Sequence, residues 1–182
     1  MHQPSIYLSY VKADQSWAEQ LTALLAPGGL AIRNPQSALL PNEAFEQFRE
    51  AILASTLTIV LLGPTTRQSR WVDREIALST EAREDGPGAG LLGLILPTHE
   101  DFARPYYDPE NVPIRLHDLI QSEYALLRKW TARPEEILSW LAESERRRLA
   151  LRPEPSLRAA AEIYRFGWDR SVDETRPSPE AL

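Results

Sequence analysis

The chain has 182 residues, 43% of them hydrophobic, and a formal charge of −6, which suits one packed domain with some chain to spare and argues against nucleic-acid binding, where a basic stripe is usual. With no cysteine, disulfides, thiolate metal sites and cysteine nucleophiles are excluded. No apolar run approaches membrane-spanning length and Met1-His2-Gln3-Pro4 lacks a signal-peptide pattern, so the expectation is a soluble cytoplasmic protein without a membrane segment.

Ser5 to Tyr10 is predicted as a first strand. Asp14 is placed to N-cap a helix that stacks Trp17, Ala18, Leu21, Leu24 and Leu25 on one face and stops at Pro27-Gly28-Gly29. Leu30 to Arg33 is a short second strand, and the loop Asn34–Asn42 follows, with Pro35, Pro41 and apolar Leu39-Leu40 near its tip. A second helix is expected from Glu43 to Ala54, burying Phe45, Phe48, Ala51 and Ile52. Leu57 to Leu62, apolar but for Thr58, reads as a strand covered on both faces. Gly63-Pro64 ends it, and Ser69 is the expected N-cap of a helix beginning near Arg70 and finishing by Asp85-Gly86-Pro87-Gly88. Leu91 to Leu96 supplies a fourth apolar strand.

From Pro97 to Pro113 the pattern breaks. Four prolines and the aromatics Phe102, Tyr106 and Tyr107 fill a connection longer than most, which is more often a lid or binding loop than filler. Ile114 to Gln121 reads as a short helix and Tyr124 to Trp130 as the last strand. Pro134 opens a closing helix with the stripe Ile137, Leu138, Trp140 and Leu141. The basic run Arg146-Arg147-Arg148 lies near its end, where cations suit the dipole and are expected to be solvated. Pro153-Glu154-Pro155 marks a break. The expected organisation is therefore a domain over 1–150 and an extension over 151–182, with one helix from Ser156 to Trp168 and a mobile polar tail.

Strands and helices that alternate five times imply an α/β fold: one five-stranded parallel sheet, flavodoxin-like in the order 2-1-3-4-5, with helices on both faces. Such sheets bind ligands at the C-terminal ends of strands 1 and 3. Ser9, Tyr10, Gly63, Pro64 and Thr65 would line that crevice. On the helix after strand 3, a step of about 100° per residue puts Glu75 about 40° from Trp71, inside the apolar sector with Val72, Ile76 and Leu78. Asp73 falls on the other side. A carboxylate held in an apolar sector loses hydration and can have a raised pKa, a common arrangement for a catalytic acid. The competing reading is a first-turn Glu that favours the positive end of the helix dipole and tucks its stem over Trp71. Convergence of Glu75 with the crevice favours chemistry.

Other sites are missing from the sequence. There is no G-x-G-x-x-G after the first strand, no Walker A loop and no G-x-S-x-G elbow. His2, His99 and His117 do not show ligand spacing; His99-Glu100-Asp101 and His117-Asp118 are pairs of a kind that surface loops produce routinely, so no metal site is expected. Glu75 is left as the candidate for a reaction that needs a single carboxylate.

The segments Ile6-Tyr7-Leu8-Ser9-Tyr10 with Asp14, Leu62-Gly63-Pro64-Thr65-Thr66 through Ser69-Arg70-Trp71-Val72-Asp73-Arg74-Glu75-Ile76, Gly90-Leu91-Leu92-Gly93, and Pro113-Ile114-Arg115-Leu116-His117-Asp118, closed by Trp130, resemble a bacterial TIR domain. They are more similar still to the TIR-like ThsB family of Thoeris antiphage defence, over about residues 5 to 148. The resemblance implies an enzyme that takes NAD⁺ as substrate, needs no further cofactor, and cleaves the nicotinamide–ribose bond with Glu75 as the catalytic carboxylate. It implies a product of the ADP-ribose type, often cyclised, that activates a separate effector as a diffusible signal. Ser9, Tyr10, Thr65, Trp71 and Asp73 are carried over as substrate-cleft positions. Asp118-Leu119-Ile120 departs from the family's D-N-I, and the resemblance does not reach beyond Leu151. The alternative is a non-catalytic adaptor working by TIR–TIR contact through the Asn34–Asn42 loop, with Glu75 a structural acid. A nucleoside-processing hydrolase of similar architecture is a third reading.

Overall fold

The structure, a computed structural model, describes residues 4–33, 44–83 and 86–153, without the side chains of 44–46. The Asn34–Asn42 loop, the packing of Phe45 and the Ser156–Trp168 helix fall outside these residues. Strands β1 (Ser5–Ser9), β2 (Ala31–Arg33), β3 (Leu57–Leu62), β4 (Gly90–Ile95) and β5 (Ala125–Lys129) form one parallel sheet in the order β2-β1-β3-β4-β5. The order is the expected one. Central β3 and β4 are buried at every position, as parallel strands covered on both faces must be.

Helices α1 (Gln15–Leu25), α2 (Ala44–Leu53), α3 (Arg70–Thr80), α4 (Ile114–Gln121) and α5 (Pro134–Ala150) provide that cover. Successive strand residues point to opposite faces. Ile6, Leu8, Ile59, Leu61, Leu92 and Leu94 therefore meet α1 and α5 through Leu21, Leu25, Ile137 and Leu141. Val60, Leu62, Leu91 and Ile95 meet α3 and α4 through Val72, Ile76, Leu116 and Leu119. Tyr7 packs on that second face with Phe48, Ile52 and Leu78. At Gly90 a Cβ would stand 2.5 Å from the Ser144 carbonyl oxygen, so glycine is what lets α5 lie on β4.

Element ends shift slightly: β1 stops at Ser9, β4 starts at Gly90, and β5 lies inside the expected Tyr124–Trp130. Other expectations are corrected. Leu138 is 39% exposed, and fully buried Ser144 takes a place on the inner face of α5, where its Oγ donates to the Leu91 carbonyl at 3.2 Å. Arg148 is not a solvated cation: its side chain is 12% exposed and forks onto Glu145. His99 and Asp101 are not a surface pair either, since both are buried. Asp101 braces the 97–113 segment by accepting hydrogen bonds from the Asp108 amide, Arg104 and Asn111. Among the described residues no helix is long and apolar enough to cross a membrane.

Candidate active site

Ser69 caps α3 by accepting a hydrogen bond from the Val72 amide at 3.1 Å, which sets the phase of the helix. With that phase Trp71 and Glu75, one turn apart, both face inward. Trp71 is 1% exposed and its ring lies 5.8 Å from that of Phe48. Glu75 has no exposure at all. Its Oε1 accepts a hydrogen bond from the Tyr7 hydroxyl at 2.7 Å, and its Oε2 one from the Ser9 hydroxyl at 2.5 Å. Tyr7 and Ser9 are two apart on β1, so the strand presents both hydroxyls to α3. The same sheet face carries a second buried polar contact, Thr58 Oγ1 to Ser79 Oγ at 2.8 Å.

The expected cleft residues divide. Ser9 is a direct partner of Glu75, and Trp71 is its neighbour on the helix face. Tyr10, the next residue on the chain, goes to the opposite sheet face and joins the cluster of Ile6, Leu8 and Leu61. Asp73 is bound to Arg115 of α4 through three contacts of 3.2–3.3 Å, an ion pair that ties two helices together. Burial raises the Asp73 pKa, and Arg115 only partly offsets this. Thr65 is half-buried before a short 3-10 turn, Thr66–Gln68, and the following residue forms the bonds.

Thr66 was not anticipated. Its Oγ1 accepts from the Gly63 amide at 2.9 Å and lies 3.2 Å from the Leu61 carbonyl and 3.4 Å from Asp14 Oδ2. Asp14 stands at the N-cap position of α1 but its side chain makes no capping bond; it is 2% exposed and turns onto Gly63. A Cβ on Gly63 would collide with both carboxylate oxygens of Asp14. Burial pushes the Asp14 pKa up to about 6, against the opposing pull of Thr66, His99 and the Gly63 backbone. The sequence signal for Tyr7 was its hydroxyl two residues from Ser9 on one strand face. For Asp14 no local signal distinguishes a cap from a buried acid.

Two cavities lined by described residues are large enough for a small molecule, and Glu75 lines neither of them. One, about 820 Å³, lies beside the C-terminal end of edge strand β5 between Tyr107, His117, Trp130 and Trp140. The other, about 780 Å³, lies where β1 and β3 begin. Glu75 is fully buried, and one turn before it on α3 Trp71 packs against Phe48 of α2. Among the described residues no group of three or more acids and histidines is arranged to hold a metal.

Fold and site define a doubly wound α/β domain with a buried, doubly hydrogen-bonded carboxylate on the helix that follows its central strand. The chain belongs to the TIR domain family, which it matches over residues 6–138. Comparison with curated proteins finds no match. Among solved structures it is similar to a prokaryotic SEFIR domain at 16% identity, covering 86% of this chain and 99% of that one with a TM-score of 0.48. It is similar to the Clostridium botulinum CMP N-glycosidase BcmB at 16% identity, 76% and 98% coverage and a TM-score of 0.43. The TIR domains of the activated Roq1 resistosome give 12% identity, 90% and 94% coverage and a TM-score of 0.45.

Proposed function

We propose that this chain is an NAD⁺-consuming TIR enzyme that breaks the nicotinamide–ribose bond with Glu75 as catalytic carboxylate. The observation that carries the reading is the placement of Glu75: fully buried, held at both oxygens by Tyr7 and Ser9, beside Trp71. When the C1′–N bond breaks, its electron pair leaves with nicotinamide, which departs neutral and needs no acid to protonate it. The ribose left behind is oxocarbenium-like, and a fixed anion is what lowers its energy. Hydroxyls that already hold the carboxylate spare it reorganisation as that charge develops. Water captures the ribose and gives ADP-ribose with loss of a proton, or a nucleophilic atom elsewhere in the same molecule does so and gives a cyclic product.

Because Glu75 has no exposure, the proposed mechanism includes an opening step that admits the substrate. Ser9 and Trp71 are the substrate-side neighbours of Glu75, and Thr65 stands at the crevice mouth; Tyr10 and Asp73 contribute packing. Following the ThsB resemblance, the product is a cyclic ADP-ribose signal that activates a separate effector in antiphage defence, in the cytoplasm, with homotypic TIR–TIR contact completing the site. Incubation with NAD⁺ and chromatography of released nicotinamide tests this. Wild type is expected to release it and Glu75→Gln to lose that activity while keeping its fold; equal turnover by both would remove Glu75 from the mechanism.

The adaptor reading is favoured by one specific observation, the complete burial of Glu75. It predicts no nicotinamide even when the protein is driven to assemble, and self-association that survives Glu75→Gln.

A further inference from the structure

The cavity of about 780 Å³ lies at the N-terminal edge of the sheet, the end opposite the strand tips that frame the crevice. Its apolar wall includes Leu57 and Leu141, both buried, and Leu138, the one stripe residue of α5 that is exposed. Its polar wall is Arg83, Glu145 and Arg148. Arg148 donates through Nε and Nη2 to the two oxygens of Glu145, both at 2.6 Å. That pair is closed.

Arg83 is in a different position. It arrives just past the end of α3, its Nη2 donates to the Ile52 carbonyl at 3.2 Å, and its Nε is buried without a hydrogen-bond partner among the described residues. No carboxylate among the described residues forms an ion pair with it. Burial and the nearby Arg148 charge both work against its protonated form. An arginine nevertheless stays charged in a protein, so the cost stands until an anion arrives. Tyr124 cannot be that anion. Its hydroxyl donates to the Ala89 carbonyl at 2.9 Å and its pKa is raised to about 12, chiefly by burial. Among the described residues the cavity wall carries two guanidiniums and one carboxylate, facing leucines. Glu84 and Asp85, which follow Arg83 in sequence, lie outside the described residues.

We propose that this cavity is a second ligand site, for a small organic phosphate whose anionic group sits on Arg83 beside Arg148 and whose apolar body lies on Leu57, Leu138 and Leu141. A phosphate dianion answers the surplus charge and matches the planar fork of a guanidinium. The volume is that of a small-molecule pocket, with a mostly apolar wall and few convergent polar groups. The site shares no residue with the Glu75 cluster, and it stands whether or not the chain cleaves NAD⁺.

Titration calorimetry on the full chain, with phenyl phosphate as probe, tests it. Phenyl phosphate is expected to bind saturably and about tenfold or more tighter than either inorganic phosphate or benzyl alcohol alone. Arg83→Gln is expected to weaken phenyl phosphate about tenfold or more. Leu138→Trp fills the mouth from an exposed helix position, so it is expected to block binding without lowering the melting temperature of the free protein. Absence of saturation in wild type would overturn the proposal. So would unchanged affinity in folded Arg83→Gln, or in Leu138→Trp should the first variant fail to fold.

Discussion

Replacing Asp14 by Asn should change how the protein's stability depends on pH. Asp14 is 2% exposed, against Gly63 and Thr66, and its pKa is raised from 3.8 to about 6, first by burial. Each pKa unit corresponds to about 1.4 kcal/mol, so the ionised side chain costs the folded state about 3 kcal/mol. Below pH 3.8 both folded and unfolded chains hold the proton and the cost is absent. Between 3.8 and about 6 the unfolded chain releases the proton while the folded one keeps it, so stability falls as pH rises through this window. Above it the whole cost is present. Asn cannot ionise. The unfolding free energy of Asp14→Asn minus that of wild type should therefore climb by about 3 kcal/mol between pH 3.5 and pH 7. Urea denaturation at several pH values measures it, and the subtraction removes most titrations the two proteins share. A difference that stays flat, or that falls with pH, would refute the claim that burial governs this carboxylate.

Ser9→Ala and Tyr7→Phe each remove one donor from the buried Glu75 carboxylate and should each destabilise the fold by about 1.5–3 kcal/mol in chemical denaturation. If the enzymatic reading holds, Ser9→Ala should also slow nicotinamide release by more than its loss of folded protein explains. Gly63→Ala drives a methyl into the Asp14 carboxylate and should cost about 1–3 kcal/mol; in a double-mutant cycle, Asp14→Gly should recover most of that loss. Arg115→Ala leaves Asp73 buried without its partner and should lower stability by about 3 kcal/mol, whereas adding Asp73→Asn should recover part of it, as read from urea midpoints.

Sheet order was legible as the commonest arrangement of five alternating strands, and the inward turn of Glu75 as a consequence of helical periodicity. Leu57–Leu62 has one polar side chain, Thr58, among five aliphatic ones, so helices are expected over both faces, and a five-stranded doubly wound sheet most often takes the order 2-1-3-4-5. One helical period, its phase set by the Ser69 cap, is enough to place Trp71 and Glu75 on one side. What Glu75 would touch was not legible. Tyr7 and Ser9 lie 68 and 66 residues away along the chain, and they meet it only because β1 sits beside β3 with a particular register and α3 crosses at a particular depth. Asp14 is alike: its sequence context is that of a helix cap, and the choice to turn onto Gly63 is made by a strand that arrives from 49 residues later. Tyr10 and Arg148 were misplaced for the same reason. Periodicity reports which side of its own element a residue occupies, and Tyr10 has the side opposite Ser9. Whether that side meets apolar core, a partner charge or a cavity depends on contacts between distant segments, which packing alone decides.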